Sequence, residues 1–112
     1  MEIEVTDTAE EDLERLDNRV RDTFYSKVES TEKNLGIGAN PGQAFDKYLS
    51  GNMNPVLQMN LGRDFRAWFL EGKYLEGLED AKIYCLMVLT KNEAKELTQR
   101  IRDPISFLRS DP

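Results

Sequence analysis

Apolar and polar residues alternate where the chain begins, Ile3 and Val5 beside Glu2 and Glu4. A period of two marks a half-buried strand. The period then changes. Leu13, Leu16, Val20, Phe24, Val28 and Leu35 recur at steps of three, four and more, which places them on one helical stripe. Thr8 followed by Glu11 has the spacing of a capping box, so the first helix is expected from about residue 9. Asp17 and Asn18 interrupt the stripe, and both residue types favour caps over helix interiors. The pattern predicts helices over 9–16 and 18–35, as a hairpin or a kinked pair, with one long helix as the alternative.

Residues 36–42 read as a loop, with Gly36, Gly38, Pro41 and Gly42. The Gly-x-Gly it contains lacks the third glycine, the preceding strand and the following helix of a nucleotide-binding turn. Residues 43–49 allow one or two helical turns, with Phe45 and either Leu49 or Tyr48 inward. From Val56 the period returns to two. Leu57, Met59 and Leu61 alternate with Gln58 and Asn60, Gly62-Arg63-Asp64 turns the chain, and Phe65 to Leu70 runs back. This is a β-hairpin whose second strand is apolar on both faces apart from Arg66. Gly72 and Gly77 punctuate a polar stretch over 71–80, with Tyr74, Leu75 and Leu78 as satellite contacts. Ile83 to Leu89 is an unbroken apolar run, the signature of a central strand covered on both faces. Ala94, Leu97 and Ile101 mark an amphipathic helix over about 92–102. Asp103-Pro104 reads as an N-cap followed by proline at the first position of a last short turn.

The predicted order is β-α-α-β-β-β-α. The fold class is α+β: a twisted, mainly antiparallel sheet of about four strands, packed against an N-terminal helical hairpin, with a C-terminal helix. The 112 residues fit one domain over 1–112.

Composition narrows the chemistry. Cys85 is the only cysteine and stands inside the apolar run, which suits a buried, inert group and a cytoplasmic location. There is no histidine, so neither the usual general base nor a Cys-His pair is available. No apolar run approaches the roughly 18 residues of a membrane span, and Met1 to Asp7 do not form a signal peptide. With 15 basic and 21 acidic residues the net charge is −6. Such a balance opposes indiscriminate binding of polyanions unless positive charge is gathered locally. No cofactor or metal is expected.

Three stretches carry a resemblance to a known family. They are Ile3 to Asp17, Leu57 to Phe69, and the strand 83–89 with Thr90-Lys91-Asn92-Glu93 after it. The first resembles a strand that enters a helix through a short polar link. The second resembles a hairpin whose glycine-containing turn is followed by an aromatic residue and then an arginine, here Arg66. The third resembles a last strand that ends in basic residues before a terminal helix. Together they are similar to the RelE/ParE superfamily of small toxins from toxin–antitoxin pairs. Ribonuclease members of that family cut messenger RNA on the ribosome and are occluded by an antitoxin. Other members poison DNA gyrase, and some relatives have no demonstrated activity.

The resemblance implies a toxin-like protein of a type II pair, in its most concrete form a metal-independent endoribonuclease acting on ribosome-bound messenger RNA. Cleavage through a ribose 2′-hydroxyl needs phosphate neutralisation and proton transfer, which arginine, lysine and tyrosine can supply. The candidates are Arg66, Arg63, Lys91, Tyr84 and Lys82. Arg66 and Arg63 are expected to share a concave surface with Lys82 or Lys91. Each also has a structural reading: Arg66 as a snorkelling or paired side chain, Arg63 and Lys91 as solvated residues, Tyr84 as a core-edge aromatic. Gln58 and Asn60 depart from the pattern, since the nucleases are often basic there. The alternative function is a non-catalytic protein-interaction module on the same scaffold. The partner expected is a cognate antitoxin-like protein or a second copy of the chain, with the ribosome and messenger RNA as the nucleic-acid target and no membrane or small-molecule cofactor. Some of Trp68, Phe69, Leu70, Tyr74, Leu75 and Leu78 are expected to reach the surface and meet that partner.

Overall fold

In a computed structural model that describes residues 1–109, the chain runs through β1 (Glu2–Val5), α1 (Asp7–Glu14), α2 (Asn18–Gly36), α3 (Pro41–Ala44) and β2 (Lys47–Tyr48). It continues through β3 (Leu57–Leu61), β4 (Phe65–Glu71), β5 (Lys82–Thr90), α4 (Lys91–Arg100) and α5 (Pro104–Arg109). The strands form one five-stranded sheet in the order β1-β5-β4-β3-β2. β1 lies parallel to β5, with Glu2 opposite Lys82 and Val5 opposite Cys85, and the other neighbours are antiparallel. The architecture is α+β, with N-terminal helices packed on a twisted mixed sheet and a helical C-terminal segment, as in a RelE-like arrangement.

The entry to α1 differs from the sequence expectation. Thr6, not Thr8, is the N-cap, and its hydroxyl accepts from the Ala9 N–H at 3.3 Å. The reason is the parallel strand pair. Thr6 is already anchored to β5, its N–H and its hydroxyl both donating to the Cys85 carbonyl. The chain therefore turns into the helix at once. The break between helices falls where the sequence placed it: Asp17 caps α2 by accepting from the Val20 N–H at 3.1 Å.

The expected helical turns over 43–49 shrink to α3, closed by the Asn40–Gln43 capping box. Beyond it the chain is extended as β2, the fifth strand, because Asp46 N–H and Leu49 N–H donate to the Gln58 and Val56 carbonyls. Phe45 and Leu49 are buried, and Tyr48 is half-exposed.

Both faces of the sheet are covered. On one, Leu13, Phe24, Val28 and Leu35 pack against Leu57, Met59, Phe69 and Cys85. Phe24 stacks on Phe69 at 6.4 Å and Phe45 tilts against Phe69 at 4.7 Å. Burial of each such ring stabilises the fold by about 1.5–3 kcal/mol. On the other face, Trp68, Leu70, Tyr84 and Leu89 lie beneath Ala94, Ile101 and Leu108, with Met53 and Val56 filling the side. Trp68, Phe69 and Leu70 are 0% exposed, so the apolar surplus of β4 feeds two cores and not an open surface. Of the six residues expected near the surface, Leu78 is the one that is exposed.

A bulge in β5 makes this division possible. Trp68 pairs with Met87, yet Phe69 pairs with Cys85. The extra residue shifts parity, so Ile83, Cys85 and Val88 face one core while Tyr84 and Leu89 face the other. Past the end of β1, the Val88 N–H is taken by Asp12 of α1 at 3.1 Å. Among the described residues, no helix is long and apolar enough to cross a membrane.

Candidate functional site

On the second face, where α4 stops short of the sheet edge, a groove of about 760 Å³ remains between β2, β3, β4 and α4. Gln58, Asn60 and Arg66 make its floor, from facing strands in which Asn60 lies directly opposite Arg66. Lys47 and Tyr48 of β2 form one rim. Lys91, Lys95, Thr98 and Gln99 of α4 form the other.

Local sequence explains the α4 rim. Thr90 and Glu93 close a capping box, so Lys91 is the first helical residue. Residues three and four apart share a helix face. Lys91, Lys95 and Thr98 therefore stand in one row beside Ala94, whose small buried side chain seats the helix on the sheet. That spacing was present in the sequence as a signal for Lys95. Lys47 carried no such signal, because its strand exists only through pairing with β3.

The groove is cationic in an acidic chain. Lys47, Arg66, Lys91 and Lys95 line it, and Asp46 is the one carboxylate that does. Among the described residues, no ion pair engages any of those four cations. Asp46 is itself offset, since Lys27 lies 3.4 Å away and the Asn60 N–H donates to it at 2.6 Å. The Arg66 guanidinium is held over the hairpin turn, with Nη1 donating to the Phe65, Gly62 and Arg63 carbonyls at 2.7, 3.2 and 3.3 Å.

The floor is ordered by a relay. Trp68 Nε1 donates to Gln58 Oε1 at 3.0 Å, and Gln58 Nε2 donates to Asn60 Oδ1 at 3.3 Å. At the β2 rim the Tyr48 hydroxyl donates to the buried Glu71 carboxylate at 3.1 Å. Burial first, and then Glu71, push the Tyr48 phenol up to about 12.

Of the residues singled out from the sequence, the structure brings Arg66 and Lys91 together. Arg63 sits exposed in the hairpin turn and does not line the groove. Lys82 lies at the start of β5, within 4 Å of Glu2, Glu4 and Glu79. Its ammonium is held above the ordinary lysine range, first by the hydrogen bonds to Glu79 and Glu4. Tyr84 is buried in the second core, where its hydroxyl accepts from the Glu79 N–H. The expected convergence is therefore partial: Arg66 with Lys91, apart from Arg63, Lys82 and Tyr84. Among the described residues, no group of three or more His, Cys, Asp or Glu side chains is placed to hold a metal ion.

The chain matches no protein-family model and no curated protein. Among solved structures, a copper-bound mutant toxin from Helicobacter pylori is similar to it, with a TM-score of 0.50 at 14% identity over 83% of this chain and 97% of that one. At that identity the likeness establishes a shared fold.

Proposed function

We propose that the chain is a toxin-like member of a type II toxin–antitoxin pair whose groove takes the ribose-phosphate backbone of single-stranded RNA. One observation carries the reading: Lys47, Arg66, Lys91 and Lys95 converge without carboxylate partners in a chain of net charge −6. An anion bound among them gains attraction from all four charges. Lys91, at the first position of α4, is also disfavoured there by the helix dipole until an anion arrives.

The concrete form of the proposal is metal-independent cleavage of messenger RNA on the ribosome. The 2′-hydroxyl oxygen attacks the adjacent phosphorus and the P–O5′ bond breaks. Asp46, at the groove wall, takes the hydroxyl proton, and water or a lysine ammonium returns one to the leaving 5′-oxygen. Arg66 and Lys91 offset the charge that builds on the phosphorane oxygens. Arg63, Lys82 and Tyr84 have no part in this version. The antitoxin expected for it is a chain that covers the groove with acidic groups. The burial of Trp68, Phe69, Leu70 and Leu75 supports this polar occlusion over an apolar docking face.

The test is induced expression in a heterologous host, following growth and messenger RNA integrity, alongside RNA binding in vitro across a salt series. Growth arrest with RNA loss is expected for the wild type and not for Arg66→Ala or Lys91→Ala. Each substitution should also reduce the slope of log affinity against log salt by about 0.7, one single-strand phosphate contact. RNA binding that ignores salt, or is unchanged in both variants, would sink the proposal.

A further inference from the structure

We infer that Asn60 is a base-reading residue that selects uracil over cytosine in the RNA occupying the groove. This rests on the groove's being an RNA site, as proposed above. It follows from the polarity of the relay that ends at Asn60.

An indole N–H only donates. Trp68 is 0% exposed, so its N–H must find an acceptor, and Gln58 Oε1 is that acceptor at 3.0 Å. An amide that turns its oxygen to the indole must turn its NH₂ the other way. Gln58 Nε2 accordingly donates to Asn60 Oδ1 at 3.3 Å. The same constraint passes on. With its oxygen turned to Gln58, Asn60 presents its NH₂ group to the groove. The backbone of Asn60 is held as well, its N–H by Asp46 Oδ2 at 2.6 Å and its carbonyl by Lys27 Nζ at 2.6 Å. A free amide can flip to suit either a donor or an acceptor. This one cannot flip without setting its NH₂ against Gln58 Nε2, and if Gln58 flips to relieve that, the buried indole loses its acceptor.

The groove floor thus offers a fixed donor on the strand position directly opposite Arg66. With phosphates on the lysine rims, a base laid over the floor meets that donor. Uracil carries a carbonyl oxygen at position 4, whereas cytosine carries an amino group there. Uracil accepts from Asn60. Cytosine, presented by the same position-4 edge, sets donor against donor. Gln58 is a positioning residue in this scheme, since it acts through Asn60.

The experiment measures binding of oligouridine and oligocytidine of equal length, at matched salt, to the wild type, Asn60→Ala and Gln58→Glu. For the wild type, tighter binding of oligouridine by about fivefold to tenfold is expected, the scale of one hydrogen bond made against one lost. In Asn60→Ala the two affinities should converge, while the salt slope set by the lysines and Arg66 stays the same. Gln58→Glu still accepts from Trp68 but offers Asn60 no donor. Asn60 then turns its NH₂ inward and its oxygen to the groove, and the uridine-to-cytidine ratio should fall to one or below. Melting curves of both variants check that the fold is retained; Asn60→Ala, at a partly exposed position, is the variant whose folding is least at risk. Equal wild-type affinities with a steep salt dependence would overturn the base-reading role and leave the RNA groove standing. No salt-dependent RNA binding at all would overturn both.

Discussion

Trp68 and Gln58 stand directly opposite each other on β4 and β3, and their side chains hydrogen-bond at 3.0 Å inside the second apolar core. Gln58→Leu leaves the indole N–H without a partner and is expected to cost about 1–3 kcal/mol. Trp68→Phe also loses volume and is expected to cost about 2–4 kcal/mol. The double variant should cost less than the sum, since neither polar group is then stranded. Denaturant midpoints at constant slope measure all three. Strictly additive costs would show that the bond contributes nothing.

Tyr48 gives the protein an alkaline limit. Its phenol titrates near 10 when unfolded and is pushed up to about 12 when folded, by burial and then by Glu71. Between those values the unfolded chain loses a proton that the folded chain keeps. The stabilisation is therefore complete below about pH 10 and is lost as pH rises towards 12. Melting temperature should fall across this window, and less so in Tyr48→Phe. An identical fall in both would assign the alkaline loss to other groups.

Gly72 and Gly36 should respond in opposite ways to alanine. A Cβ on Gly72 would lie 1.8 Å from the Glu79 carbonyl oxygen, a backbone atom that cannot move alone. Gly72→Ala is expected to cost about 3 kcal/mol or to disrupt the 72–79 connection. Gly36 ends α2 with nothing within 4 Å of the added atom. Gly36→Ala should be neutral or stabilising by up to about 1 kcal/mol. Paired thermal melts decide it, and a harmless Gly72→Ala would refute the close approach.

Cys85 is 0% exposed, and burial raises its thiol far above the ordinary range. Labelling by a thiol reagent should be slow in the native state and should follow global opening as denaturant is added. Cys85→Ala should cost about 1–2 kcal/mol and leave the proposed RNA binding unchanged. Fast native labelling would show that β5 frays.

Much of this was legible because local chemistry and tertiary structure agreed. Asp17 splits the helical stripe by capping α2, and the 57–70 hairpin turns at its glycine, as their residues indicate. Elsewhere a partner remote in sequence decided. Thr6 displaced Thr8 as the cap because β5 held it in place. An all-apolar run such as 83–89 has no polar marker of parity, so the bulge in β5 left no trace in it. Without parity, the sequence did not show that α4 and α5 cover a second core. Gln58, which alternates with apolar residues and so reads as outward, is consequently buried against Trp68. Half of the groove was visible as Arg66 and Lys91. Lys47 and Asp46 were not, because they join it across strand pairings and not along the chain.

The parallel pairing of β1 with β5 has a consequence for synthesis. Glu2 to Val5 must wait for Lys82 to Cys85, about eighty residues later, before finding their place. At roughly 5–20 residues per second, a ribosome needs of the order of 4–16 seconds to supply them. Until then the first strand has no mate and Thr6 no carbonyl on β5 to hold it. A nascent chain halted anywhere before residue 82 lacks the strand that joins β1 to β4, and it also lacks Lys91 and Lys95 of the groove. The groove therefore arrives in one late step, since its second rim does not exist until Lys91, Lys95 and Thr98 have been made.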